Sequence, residues 1–303
     1  MSSNLKKLAS RYPLYIMAIP GVLFFVLFYL IPSAGILLAW QDYNFIKGFM
    51  ESPWVGWKHF RKMFEYSEFL QILKNTLSIG FLKLILGFPF PVFIALLLNE
   101  VKNHQIKKFS QTIMFMPHLL SWVVVSQIFY NVLSPDSGIV NNVLHGLTGM
   151  EPVFFMAKEE LIQPLIAISH VWKESGYTSV VYLAALSSIS PELYEAADLD
   201  GAGKMTKILR ISLPLIAPTM VIMFLITMGR FLETGFDHVY NMLNPLVWSK
   251  GDILNTYIYR VGLQQGKYSF TTAVGLFKSL VGLVLIVGGN WGARKITGRG
   301  FFK

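Results

Sequence analysis

The sequence has no cysteine and little charge. Without cysteine it holds no disulfide, no thiol nucleophile, and no cysteine-ligated zinc or iron–sulfur centre. Only 14% of its 303 residues are charged, whereas a typical soluble domain carries about a quarter. Charges this sparse do not cover the surface of a globule that is 53% hydrophobic, and the same hydrophobicity excludes disorder. The composition therefore predicts an integral membrane protein.

Catalytic motifs are missing as well. Gly203-Lys204-Met205 and Gly266-Lys267-Tyr268 both lack the upstream glycine and the following Ser or Thr of a nucleotide-binding P-loop. The sequence has no HExxH, no GxSxG and no paired intramembrane aspartates, which argues against a membrane protease or transferase. We therefore expect no catalytic residue, no metal site and no cofactor bound by this chain.

Long apolar stretches occur six times along the chain. A spanning helix needs about 20 apolar residues, because each residue rises 1.5 Å across roughly 30 Å of hydrocarbon. The stretches cover residues 14–40, 75–98, 110–133, 161–190, 211–235 and 270–293. The first exceeds the roughly 7 to 15 apolar residues of a signal peptide, so we expect it to stay as an uncleaved anchor. The pattern predicts an all-α integral membrane protein with six transmembrane helices.

The distribution of basic residues predicts the orientation. With six spans both termini lie on one side, and Lys and Arg are denser in the two tails and in loops 99–110 and 191–210 than in the opposite loops. The denser side is predicted to be the cytoplasm. We therefore divide the chain into a cytoplasmic tail (1–13), a six-helix transmembrane domain (14–293) and a second cytoplasmic tail (294–303). Because the net charge of +9 is concentrated in this way, we expect no nucleic-acid partner.

The cytoplasmic loop 191–210 carries strong local signals. Ser190 is a favourable N-cap and Pro191 suits the first position of a helix. Gly201 is free to adopt a positive φ, and Asp200 is placed to cap the helix that follows. These signals predict two short helices joined as an amphipathic hairpin. Such a hairpin either lies on the bilayer surface or inserts its apolar face into a groove of a partner.

Several residues of this loop form a longer pattern. They are Glu195-Ala196-Ala197, Asp200-Gly201-Ala202, Ile211, Leu213 and Pro214. The pattern resembles the EAA loop of the membrane subunits of binding-protein-dependent ABC importers, although Met205 stands where many relatives have an aromatic residue. The resemblance implies that the hairpin docks into a cytoplasmic ATPase and couples it to transport. In that role Glu195 and Asp200 fix the hairpin by polar and capping contacts, Ala196 and Ala197 allow close approach, and Gly201 sets the turn. The coupling set is completed by Ala202, Met205, Leu213 and Pro214.

The remainder of the chain resembles the maltose-type carbohydrate permeases, in the branch that imports complex oligosaccharides such as uronides and glycan fragments. The similar runs lie at 172–176, 244–245, 252–260, 272–276 and 294–295. The resemblance implies a type I ABC importer permease fold with a cytoplasmic EAA coupling hairpin, in the cell membrane of a bacterium. The implied partners are a second homologous permease subunit forming a heterodimer, two copies of a cytoplasmic ATPase that binds ATP and Mg, an extracellular solute-binding protein, the oligosaccharide and the lipid bilayer.

Ionisable residues inside spans are costly and mark candidate functional positions. In the fourth stretch His170, Lys173, Glu174 and Tyr177 share one helical face, and Arg230 and Glu233 have similar spacing at the end of the fifth. The candidate substrate-path residues are Lys83, His170, Trp172, Lys173, Glu174, Tyr177, Arg230, Glu233 and Lys278. Other interpretations stay open: the cations extend along the helices to the interface, or Lys173 neutralises Glu174 or pairs with another helix.

Together these features predict a permease subunit without chemistry of its own, which translocates an oligosaccharide delivered by the binding protein. A basic cavity would suit an acidic sugar, and aromatic walls would suit any sugar. The alternative is an ion-coupled secondary transporter that uses Lys173 and Glu174 as a proton relay. The two hypotheses differ in whether uptake requires ATP or an ion gradient.

Overall fold

A computed structural model describes residues 3–297, and this part of the chain is helical, with one isolated bridge between Gln41 and Trp54 and no strand. The longer helices are α1 (Ser3–Phe25), α2 (Lys58–Glu65), α3 (Ser67–Gly87), α4 (Pro89–Glu100), α5 (His104–Leu119), α6 (Trp122–Val132), α7 (Ile139–Thr148), α8 (Glu159–Ser187), α9 (Pro191–Leu199), α10 (Leu213–Gly229), α11 (Phe236–Met242) and α12 (Tyr268–Thr297). Short α, 3-10 and π segments are Val26–Leu30, Ile31–Ser33, Ala34–Trp40, Gly48–Glu51, Phe155–Ala157, Lys204–Lys207, Ile208–Ser212, Pro245–Val247, Trp248–Gly251, Leu254–Tyr257 and Ile258–Gln264.

Four helical segments of the described chain are long and apolar enough to cross a bilayer. They are Tyr15–Trp40, Ser67–Glu100, Lys204–Gly229 and Tyr268–Gly292. α5 and α6 together make a fifth only if a pair bent by 103° counts as one span. α8 is 29 residues long, but buried polar residues such as Ser169, Lys173 and Ser179 run through it and lower its apolarity. The prediction of six spans is therefore not confirmed by length and apolarity.

The predicted span at 110–133 is broken in the middle. α5 ends at Leu119, and Leu120 and Ser121 are extended, with ψ of 144° and 155°. Ser121 then caps α6, because its hydroxyl oxygen accepts a hydrogen bond from the backbone N–H of Val124 at 3.3 Å. A hydroxyl cap of this kind competes with continuation of the helix, and hydropathy alone does not reveal it.

The predicted span at 211–235 also ends early. α10 ends at Gly229, and the backbone N–H of Glu233 donates to the carbonyl of Arg230 at 2.8 Å in the turn that follows. Gly235, with φ of 84°, then begins α11. Their spacing predicted that Arg230 and Glu233 share a helical face. This is wrong, because both residues lie in the turn after α10.

The described chain divides into two compact units, of which the first comprises residues 3–65 and 261–276. In this unit the backbone N–H of Val55 donates to the carbonyl of Trp40 at 2.8 Å, and that of Tyr43 donates to the Ser269 hydroxyl at 2.9 Å. Trp40 packs against Trp57 and Phe60. The loop after the first apolar helix is thus folded back onto the end of that helix.

Within the described residues the second unit comprises 66–260 and 277–297, and α8 is its central helix, packed against α3, α4 and α5. One apolar cluster includes Ile79, Ile162, Ile166 and Met242, and another includes Tyr182 with residues of α4. α5 and α8 approach each other closely at Gly176, where a Cβ atom would lie 1.8 Å from the carbonyl oxygen of Met114. Only glycine permits this approach.

The loop 191–210 folds as a helix, a turn and a second helix. α9 ends at Leu199, and Gly201 has φ of 74°, which confirms the positive φ expected at this turn. Lys204–Lys207 begins the second helix and runs through a π segment into α10, so this helix is continuous with the span. The capping prediction for Asp200 is wrong: the N-cap is Gly203, and Asp200 instead follows the last residue of α9.

Candidate functional site

A cavity of about 520 Å³ lies in the second unit, between α3, α8, α10 and the turn after α10. Its wall combines polar and apolar side chains. The lining residues are Gly80, Lys83, Leu84, Gly87, Pro91, Trp122, His170, Val171, Glu174, Ser175, Tyr177, Thr178, Met223, Ile226, Thr227, Arg230, Phe231, Glu233, Thr234, Gly235 and His238. The cavity therefore gathers six of the nine predicted substrate-path residues: Lys83, His170, Glu174, Tyr177, Arg230 and Glu233.

Lys83 is held in place at one side of the cavity. Its ammonium donates to the carbonyl of Thr234 at 2.5 Å and lies 2.9 Å from Nδ1 of His238. Because the ammonium has only donors, Nδ1 accepts this bond and Nε2 carries the proton. Nε2 then donates to the Ser169 hydroxyl at 2.8 Å, and that hydroxyl donates to the carbonyl of Ile166 at 3.0 Å. Two of the three ammonium donors, the His238 Nε2 donor and the Ser169 hydroxyl thus each have an acceptor.

His238 is the cavity residue that sequence reasoning missed. Its exposed fraction is 1%, and its ring stacks on Trp122 with centroids 3.7 Å apart. The sequence placed it in an external loop, where a histidine draws no attention. The sequence does not show that His238 lies beside Lys83 and Ser169, because both partners lie on other helices.

Glu174 faces the cavity with a partner on either side. Its carboxylate lies 2.8 Å from Nδ1 of His118 and 3.6 Å from the ammonium of Lys173. The His118 ring in turn stacks on Tyr177 with centroids 4.1 Å apart. The negative charge of Glu174 is therefore offset where it meets the cavity. His118, which follows Pro117 in the chain, was not among the predicted substrate-path residues.

Three predicted substrate-path residues do not line the cavity. Lys173 is buried, and its ammonium donates to the backbone carbonyl of His118 at 2.6 Å. Trp172 lies edge-on to Phe129, with centroids 6.0 Å apart. The ammonium of Lys278 donates to the amide oxygen of Asn255 at 2.7 Å.

Arg230 differs from Lys83, Lys173 and Lys278, whose ammonium groups all donate hydrogen bonds. Its side chain is exposed and lines the cavity, and among the described residues it makes no ion pair and no side-chain hydrogen bond. Glu233, also exposed, follows three residues later. A guanidinium offers five donors in a planar fork that matches a carboxylate, so Arg230 is suited to bind an anion entering the cavity.

Two buried hydroxyl groups of the cavity wall have no partner among the described residues. They belong to Ser175 and Thr234, which are 3% and 2% exposed. A buried hydroxyl without a hydrogen bond costs about 1–3 kcal/mol. With Trp122 as an aromatic surface, the wall offers the donors, acceptors and ring face that bind sugars.

The predicted coupling residues lie on an exposed hairpin. Glu195, Ala196, Asp200, Gly201, Met205 and Pro214 are exposed, and Ala197, Ala202 and Leu213 are partly buried. The two arms are joined by an ion pair between Lys207 and Asp198 and by a 2.9 Å hydrogen bond between the hydroxyls of Tyr194 and Ser212. The exposed fraction of Leu199 reaches 91%, and that of Met205 reaches 65%. The hairpin thus presents an apolar tip.

The fold and these two sites define a membrane transport component rather than an enzyme. The chain belongs to the family of binding-protein-dependent transport system inner membrane components, whose pattern matches residues 87–297. Members of this family are transport permeases. No group of three or more His, Cys, Asp or Glu residues that could hold a metal ion occurs in the described range.

Similar proteins of known identity cover almost the whole chain. The polygalacturonan/rhamnogalacturonan transport system permease protein YteP of Bacillus subtilis is 41% identical over 98% of this chain and 92% of its own length. A chain of a bacterial ABC transporter involved in the import of the acidic polysaccharide alginate superposes with a TM-score of 0.90, at 37% identity, over 98% of this chain and 100% of that one. A bacterial alginate ABC transporter in complex with an alginate pentasaccharide-bound periplasmic protein matches with a TM-score of 0.89, at 38% identity, over 97% and 98%.

Proposed function

We propose that this chain is one permease subunit of an ATP-driven importer in the cytoplasmic membrane of a bacterium, and that it translocates an acidic oligosaccharide delivered by an extracellular solute-binding protein. The observation that carries the proposal is the cavity of about 520 Å³, whose wall holds the unpaired Arg230 together with Lys83, His170 and Trp122. Similar proteins are a polygalacturonan/rhamnogalacturonan transport permease and a subunit of a transporter involved in alginate import, which supports a uronide as cargo.

Arg230 offers the cavity a guanidinium for the carboxylate of an anionic sugar. Glu174 is compensated by the Lys173 ammonium and accepts a hydrogen bond from His118, and Glu233 is the other acidic residue of the wall. Hydrogen bonds to charged groups contribute about 1.5–3 kcal/mol. A single contact between Arg230 and a uronate would therefore strengthen binding by about 10- to 100-fold.

The proposal includes six membrane crossings with both termini in the cytoplasm. α8, at 29 residues, is about 44 Å long at 1.5 Å per residue, more than the roughly 30 Å of hydrocarbon. Its polar residues are buried against neighbouring helices or face the cavity, which is where a spanning helix tolerates them. We assign α5 and α6 as one broken crossing. The six-helix domain then covers 14–293, and the more basic tails and loops lie inside.

We further propose that the hairpin at 191–210 couples this chain to one of two cytoplasmic ATPase subunits, which bind ATP and Mg, and that a second, homologous permease subunit completes the membrane domain. The apolar tip at Leu199 and Met205 has no described partner within the hairpin, and an amphipathic element of this kind suits a groove. The Lys207–Asp198 ion pair and the continuous helix into α10 would transmit movement of the tip to the membrane.

The test uses the complex reconstituted in liposomes with its binding protein. ATP hydrolysis should be stimulated by binding protein loaded with acidic oligosaccharides and much less by neutral ones of equal length. Uptake should persist without an ion gradient; uptake driven by a gradient in the absence of ATP would instead support a secondary transporter. Gly201→Val should abolish uptake and weaken ATPase association, because a β-branched residue resists positive φ. Unchanged transport in that variant would exclude the coupling role.

A further inference from the structure

Because α5 breaks off before α6, the backbone carbonyl of His118 has no amide partner within its own helix. The last carbonyls of a helix have no amide partner four residues further on, and in a membrane such a group costs several kcal/mol if it stays unpaired. In α5 the amide of Leu120 bonds the carbonyl of Pro117 at 3.2 Å. The next carbonyl, that of His118, is bonded by the ammonium of Lys173 at 2.6 Å.

Lys173 contacts three helices at once. Its ammonium bonds the last turn of α5, lies 5.2 Å from the ring centroid of Trp122 at the start of α6, and is 3.6 Å from the carboxylate of Glu174 on its own helix α8. Its exposed fraction is only 5%. A buried ammonium of this kind needs its donors filled, and here a carbonyl, an aromatic face and a carboxylate surround it.

We propose that Lys173 is the positioning residue that holds the 103° break between α5 and α6 and thereby keeps Trp122 in the cavity wall. The cation at the C-terminal end of α5 is also stabilised by the helix dipole. Trp122 follows the break directly, and it meets both Lys173 and His238, so its position depends on the bend. Lys173 acts on the substrate through Trp122 and Glu174 and does not touch the cavity itself.

A second effect of Lys173 rests on the proposed function. Because the ammonium offsets Glu174, the cavity does not repel an acidic sugar at that point. Replacing Lys173 alone would remove the contact that holds the break and would also leave the half-buried carboxylate of Glu174 without its ion-pair partner. The experiment therefore compares Glu174→Gln with the double variant Lys173→Met/Glu174→Gln, in which the ion pair is removed as a unit.

Because this chain has no cysteine, it can be labelled at chosen positions without background from thiols of its own. We would replace Phe109 in α5 and Val123 in α6 by cysteine, since their exposed fractions are 67% and 60%, and attach spin labels to the assembled complex. Pulsed electron resonance then measures the distance distribution between the two helices. We expect one narrow distance in the wild type and in Glu174→Gln, and a broad distribution in the double variant.

Transport kinetics report the same effect. In the double variant we expect kcat/KM for uptake to fall about tenfold or more relative to Glu174→Gln, because the displaced Trp122 no longer completes the cavity wall. Lys173→Arg in the Glu174→Gln background keeps a cation that reaches His118, and should restore both the narrow distance and kcat/KM. An equally narrow distance in the double variant, an unchanged kcat/KM, or no rescue by arginine would overturn the proposal. The distance measurement needs no oligosaccharide, so its result does not depend on whether the proposed cargo is correct.

Discussion

Among the described glycines, Gly176 is the one at which an added Cβ, as in Gly176→Ala, would meet its nearest neighbour at the shortest distance. The added Cβ would lie 1.8 Å from the carbonyl oxygen and 2.3 Å from the carbonyl carbon of Met114. Both atoms belong to the backbone of α5, so no rotamer change relieves the overlap, and α5 and α8 must separate by roughly 1.5 Å to reach ordinary contact. Overpacking typically costs about 1–3 kcal/mol, and a rigid backbone places this site at the upper end.

The separation would also stretch a second contact. Lys173 precedes Gly176 by one turn on α8, and His118 follows Met114 by one turn on α5, so the bond between the Lys173 ammonium and the His118 carbonyl spans the same interface. Loss of a hydrogen bond to a charged group adds about 1.5–3 kcal/mol. We therefore expect destabilisation of about 3 kcal/mol or more, which corresponds to a fall in the melting temperature on the order of 10 °C.

The assay is thermal unfolding of the purified complex, followed by loss of the assembled species on size-exclusion chromatography. Gly289→Ala is the matched control: this glycine also lies in an apolar helix against a neighbouring helix, but its added Cβ would meet Met228 at an ordinary 3.7 Å. Gly289→Ala should change the midpoint of thermal unfolding little, because the added methyl group fits and alanine has a higher helix propensity than glycine. Equal midpoints for the two variants would refute the close approach of α5 and α8.

Three further substitutions test other parts of the molecule. Arg230→Ala should raise KM for an acidic oligosaccharide about tenfold and leave a neutral one unaffected, as measured by uptake; equal effects on both would exclude recognition of a carboxylate. Arg260→Ala should destabilise the complex by about 3 kcal/mol, because it leaves the buried carboxylate of Asp252 without the ion pair at 2.6 Å, and Asp252→Asn in the same chain should recover part of that loss in thermal unfolding. Burial lowers the pKa of His59, so the opened loop binds a proton that the closed loop does not, and closure should weaken as the pH falls below about 6.5. Hydrogen exchange of residues 41–60, corrected for intrinsic rates, should show this acceleration in the wild type and not in His59→Gln.

The apolar helices could be located from the sequence because apolarity is a property of neighbouring residues. The stretches at 14–40 and 270–293 agree closely with the segments Tyr15–Trp40 and Tyr268–Gly292. The turn at Gly201 was also predictable, since positive φ is a local preference of glycine. These features depend on interactions that extend over a few residues.

The breaks in the predicted spans were not predictable in the same way. The apolar stretch predicted at 110–133 runs through Leu120 and Ser121, and the one predicted at 211–235 includes the turn after Gly229. The break after α5 depends on the Ser121 cap and on Lys173, which lies more than fifty residues further along the chain. A contact over that separation leaves no mark on local periodicity.

The candidate site shows the same division. Intramembrane charge identified Lys83, Glu174 and Arg230, because an ionisable group in an apolar segment is costly wherever the segment packs. It did not separate the free Arg230 from the bonded Lys83, and it gave no reason to consider His238.

By itself, then, the sequence determined that this is a helical membrane protein, roughly where its apolar helices lie, and where its exposed hairpin turns, because these follow from composition and from preferences of adjacent residues. The tertiary structure alone decided which charged groups are paired, that Lys173 bonds a helix end while Arg230 stays available, and that Trp122 and His238 form one wall of a cavity. Those outcomes depend on packing between helices that are distant in the chain, and side-chain partners across such distances are set only when the helices meet.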